Sequence, residues 1–141
     1  MIKGNIYLIL AAAGLALAGC NKAESPAEVQ REVADAQAQG QRDVADAEAK
    51  ARERLAKEQE DLANTETRDA DQVADRARDA SETAAQGDFK VAVARAEATH
   101  KIAVEKCKAL QGTAQEDCKS RADADMENAK RAAEARRDGA G

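Results

Sequence analysis

Tryptophan is missing from this 141-residue chain, and phenylalanine, tyrosine, histidine and proline occur once each. Past residue 19 only thirteen valine, isoleucine, leucine, methionine and phenylalanine side chains remain among 122 residues. So few large apolar groups cannot offset the entropy of ordering a compact globule, which excludes a domain built around a sizeable core. Runs of β-branched residues are also missing, which leaves no segment that reads as a strand. No serine or thiol nucleophile stands in a pattern with a base and an oxyanion donor, so the chain reads as a non-enzyme with no catalytic residues. Cys107, Cys118 and a distant His100 fall short of the four ligands of a structural zinc site, and no cofactor is expected. What is abundant instead is alanine, with glutamate, arginine, lysine and glutamine, and their helix propensities point to an all-α chain with little globular core.

The first residues differ from the rest. Lys3 precedes the apolar run "IYLILAAAGLALA", and "LAGC" (Leu17 to Cys20) puts small residues directly before a cysteine. A positive start, a short apolar stretch and small residues at its end read as a signal peptide over residues 1–19, too short for a spanning helix. "LAGC" resembles the lipobox of bacterial lipoproteins. That resemblance implies cleavage before Cys20 and diacylation of Cys20, with palmitate-class chains. It also implies a membrane partner reached through the lipid and, because Asn21 rather than aspartate follows, sorting to the outer membrane facing the periplasm. Multiple acyl chains hold a protein stably where one would not.

Residues 20–24 make a short acylated linker, after which "SPAE" offers Ser25 as helix N-cap, Pro26 at the first helical position and Glu28 to close a capping box. A long alanine-rich polar helix is expected over residues 25–86. Within it "REVADAQAQGQ", "RDVADAEAKAR" and the weaker "ERLAKEQEDLA" repeat every eleven residues. At 100° per residue that period drifts by only about 20°. Val29, Val33, Ala36, Gly40, Val44, Ala47, Ala51, Leu55, Leu62 and Val73 therefore form one stripe. Such a stripe suits a helical partner or weak self-association in a coiled coil, although a single solvated helix steadied by pairs such as Asp46/Lys50 and Glu48/Arg52 also satisfies the pattern. "ANTETRD" (63–69) reads as a fray or kink and "QGD" (86–88) as the helix end, which gives a rod of roughly 90 Å. Residues 24–86 carry 17 acids against 9 bases, whereas residues 87–141 carry 10 against 11. An acidic, aromatic-free helix is a poor binder of nucleic acid, and no small-molecule substrate is indicated.

Residues 87–141 read as an antiparallel helical hairpin. Phe89, Val93, Ala96, His100, Ala103 and Cys107 share one helix face, and Leu110-Gln111-Gly112 reads as its end, with glycine in the left-handed region. "TAQE" follows, with Thr113 as N-cap and Glu116 as its capping-box partner. Cys107 and Cys118 then face each other across the neck. With Cys20 consumed by lipid, the two suit a disulfide in an oxidising compartment, with free buried thiols as the alternative. Counting outward from them, Ala103 meets Ala122 and His100 meets Asp125 or Met126. The segment also resembles an uncharacterised group of small proteobacterial envelope proteins with a K-C-x-x-L-x-G-x-x-x-x-x-C pattern, here Lys106, Cys107, Leu110, Gly112 and Cys118.

These readings combine into an outer-membrane lipoprotein with a structural, spacer or protein-interaction role, its stapled hairpin far from Cys20. An alternative is an envelope-stress or chaperone-like protein that shields membranes or clients. A third is a small-ligand or metal binder centred on His100, Asp125 and the cysteines.

Overall fold

The computed structural model describes residues 23–64 and 70–139, and Cys20 with the rest of residues 1–22 lies outside them. Three helices make up the described chain: α1 (Pro26–Ala63), α2 (Ala70–Cys107) and α3 (Gly112–Asp138), with no strand among the described residues. α1 starts as the sequence indicates. The Glu28 N–H donates to Ser25 Oγ at 3.3 Å and the Ser25 N–H donates to Glu28 Oε2 at 3.0 Å, with Pro26 in the first turn. Two of the orphan donors at the helix start are thereby satisfied.

α1 stops at Ala63, where the Asn64 N–H closes on Glu60 O at 3.0 Å and weak helix formers Asn64, Thr65 and Thr67 follow. The helix end expected at residues 86–88 is not there. α2 runs unbroken from Ala70 to Cys107, so the division drawn between residues 86 and 87 falls in the middle of a helix. A lone glycine inside a helix costs only about 1 kcal/mol against alanine, which neighbouring alanines and tertiary packing readily offset.

α1 and α2 lie antiparallel along each other. Gly40 of α1 meets Ala98 of α2, and Ala51 of α1 meets Gly87 of α2. The two contacts sit eleven residues apart on each helix, so the repeat seen in α1 is matched by α2. A Cβ added at Gly40 would stand 2.7 Å from the Ala98 Cβ, and one at Gly87 3.1 Å from the Ala51 Cβ. Both glycines are points of close backbone approach, which is why the one at position 87 does not end a helix. The α1 stripe from Val29 to Leu62 is buried or partly buried throughout, with Val29 and Gly40 the most enclosed. Its partner is α2 of the same chain. Each of these helices has 38 residues, giving about 57 Å of length instead of a 90 Å rod.

α3 turns back over the second half of α2. Both α1 and α3 pack on α2, and among the described residues they do not pack on each other. Little is deeply buried: Val29, Ala96, Cys107, Ala122 and Ala133 are the buried apolar residues among those described. Alanine supplies most of the interior, so burial contributes modestly per residue.

Candidate interaction site

Two places concentrate the chemistry of the described chain: the neck between α2 and α3, and a cleft between α1 and α3.

At the neck, Cys107 and Cys118 are joined with their Cα atoms 5.7 Å apart, and Cys107 is fully enclosed. Gly112 takes φ +57°, the left-handed conformation expected of it. The capping box expected from Thr113 and Glu116 is absent. α3 already begins at Gly112, with Gln111 as an N-cap that makes no side-chain bond, so Thr113 lies inside the first turn, past the cap position. Gln115, which the sequence pattern does not single out, does the local work. Buried to 7% exposure, it donates from Nε2 to Leu110 O at 3.1 Å and to Cys107 O at 3.4 Å, satisfying one carbonyl in the neck loop and one at the end of α2.

The start of the described chain is fastened to the same place. The Glu24 N–H donates to Lys108 O at 3.1 Å, and Lys108 Nζ lies 2.6 Å from Glu105, 2.7 Å from Glu32 and 3.7 Å from Glu24. The hairpin neck is therefore beside residue 24, not at the far end from it as the rod reading places it. Bonds to Glu105 and Glu32 hold the Lys108 ammonium above its ordinary range. Removal from water, and then the hydrogen bond and repulsion from Glu32, push the Glu24 carboxyl up. Bonds from Lys108, Glu105 and Glu24 lower that of Glu32. One cation thus ties the first described residues to both α1 and α2.

Charge is matched along the rest of α1 and α2, always with acid on α1 and base on α2. Glu48 takes Arg95 at 2.6 Å and Asp43 takes Lys101 at 3.3 Å, while Glu48 also holds Arg52 at 3.4 Å within α1. Part of the acidity of the first half is therefore answered within the chain rather than left as a solvated surface. Between α2 and α3, Glu97 pairs with Lys130 at 3.1 Å. His100 Nε2 lies 2.6 Å from Asp123 Oδ1, a partner that counting from the bridge to Asp125 or Met126 does not name. Cys107 and Cys118 are joined to each other, and among the described residues no group of three or more histidine, cysteine, aspartate or glutamate side chains is placed to hold a metal ion.

Because α3 covers only one side of α2, a cleft of about 820 Å³ opens above α2 between α1 and α3. Alanine dominates its lining, including the accessible Ala85, Ala92, Ala103, Ala129 and Ala132, with Phe89 and Met126 among its walls. Arg137 lies over the Phe89 ring at 4.6 Å, closing the end near the α3 C-terminus. Small side chains over such a length let another helix approach closely. Of the charged and polar groups that line it, Glu48 and Arg95 pair with each other, and His100 bonds to Asp123. No helix among the described residues is long and apolar enough to cross a membrane. Compared with models of protein families, with curated proteins and with solved structures, the chain matches none.

Proposed function

We propose that the chain is a lipoprotein of a bacterial outer membrane, acylated at Cys20 and facing the periplasm, with a structural or protein-interaction role in the envelope. The observation that carries this reading is "LAGC" at the foot of a short apolar run, only five residues before the capped start of α1. The bond between Cys107 and Cys118 supports it, since disulfides persist in oxidising compartments and are uncommon in the cytosol. A surface rich in charges of both signs, some of them matched in pairs, suits a body that stands in an aqueous space close to a membrane. The cleft over α2 favours interaction over a bare spacer, because its alanine lining is left open to a helix of another protein.

The test is chemical. Mass spectrometry of the chain from bacterial envelopes should find residues 1–19 removed and a diacylglyceryl thioether on Cys20. Cys20→Ala should abolish the modification and release the protein from outer-membrane fractions. A mature chain that begins elsewhere with an unmodified Cys20 would overturn the reading.

A further inference from the structure

The position of residue 24 fixes which end of the molecule meets the membrane. From Cys20 to Glu24 there are four Cα steps of 3.80 Å, so their Cα atoms can be no more than about 15 Å apart. The Glu24 N–H is bonded to Lys108 O at 3.1 Å, and Lys108 follows Cys107 directly. Lys108 Nζ, which gathers Glu24, Glu32 and Glu105, also holds residue 24 at the neck.

We infer that the neck loop, residues 108–111, lies against the lipid surface and that the α1–α2 tip around Ala63 and Ala70 points away from it. This inference rests on acylation at Cys20 and adds an orientation to it. A second observation agrees with the tether. Leu110, in that loop, is the one large apolar side chain left exposed among the described residues, at 40%. A single leucine adds little affinity, which the acyl chains supply, but it places an apolar group on the face the tether brings down. Attraction to anionic headgroups is not the cause, because the neck gathers Glu24, Glu32 and Glu105 around one lysine. With helices of about 57 Å standing on the neck, the tip is carried tens of ångströms into the aqueous space, and the disulfide sits at the membrane end.

The experiment uses the full acylated protein in phosphatidylcholine vesicles carrying a headgroup-attached quencher, with a fluorophore placed through Gln111→Cys or through Ala63→Cys. Mass spectrometry of the same samples is read first. A chain without acyl mass at Cys20 overturns the lipoprotein reading and the orientation with it. For the acylated chain, the expected result is loss of most fluorescence at position 111 and none at position 63. Equal quenching at both positions, or more at 63, overturns the orientation while leaving the lipoprotein reading intact. A further sample carries a twenty-residue Gly/Ser insertion between Asn21 and Lys22, a flexible tether of about 25 Å r.m.s. length. The contrast between the two positions should then shrink. A contrast that survives the insertion overturns the tether as its cause.

Discussion

α2 is gripped on two sides by different means. Along α1 the grip is distributed: glycine-alanine contacts one repeat apart, a valine and leucine stripe, and cross-helix pairs such as Glu48–Arg95 and Asp43–Lys101. Along α3 it is concentrated. α3 carries one large apolar residue, Met126, and its buried alanines Ala122 and Ala133 contribute little each, so the covalent link at Cys107–Cys118 carries much of the docking. A small, alanine-rich helix can thus be held in place either by repetition over its whole length or by one bond at its end.

The largest way to separate the two interfaces is to remove that bond. Replacing Cys107 and Cys118 with serine together should cost about 3 kcal/mol, the value for a loop of this size. The loss should fall on one helix, with amide exchange in α3 rising to near-unprotected rates while α1 and α2 keep their protection. Uniform loss across all three helices would mean that the grips are not separate.

The distributed interface is sensitive instead to close approach. Gly40→Ala forces a Cβ to within 2.7 Å of Ala98, so one helix must shift, and a loss of about 1–3 kcal/mol is expected in chemical denaturation. Gly87→Ala meets Ala51 at 3.1 Å, where a slight adjustment suffices and helix propensity returns up to about 1 kcal/mol. It should lie within about 1 kcal/mol of the parent. Equal effects at the two sites would show that contact distance does not set the cost.

Ser25→Ala removes the cap of α1 and should cost about 1 kcal/mol. Its pH dependence is diagnostic. Hydrogen bonds from Ser25 hold the Glu28 carboxyl below its ordinary value of 4.5. The stabilisation is therefore fully present above pH 4.5 and is lost as pH falls through the lowered folded value. A stability profile over this range should flatten in Ser25→Ala relative to the parent. The smallest effect belongs to the exposed pairs. A double-mutant cycle on Glu48→Gln and Arg95→Met should give a coupling of about 0.2–1 kcal/mol that fades with added salt.

Much of this was legible in residue pattern. Helix content, the Ser25 cap, the stripe from Val29 to Leu62 and the pairing of Cys107 with Cys118 all follow from local chemistry, and local chemistry is what sequence spacing reports. The break after α1 was legible as a fray or kink at residues 63–69, but that the chain reverses there was not. The place where α1 stops has neither glycine nor proline, while Gly87, which looks like a breaker, serves close packing against Ala51. A glycine that ends a helix and one that lets another helix in are the same letter until the partner is known. Gln115 escaped for a related reason, since a glutamine in a polar helix has no period to betray its burial. Asp123 was displaced from notice by Asp125 because counting from a disulfide fixes which residues share a level, not which long side chain reaches across it.

The antiparallel return of α2 along α1 brings residue 24 to the neck, and one distance tests it. Spin labels at Gln30 and Ala109, one near the start of α1 and one in the neck loop, should lie on the order of 10–20 Å apart, the spacing of packed helices plus label arms. A separation well beyond about 57 Å, the length of α1, would mean that the chain is an extended rod and would contradict the hairpin outright.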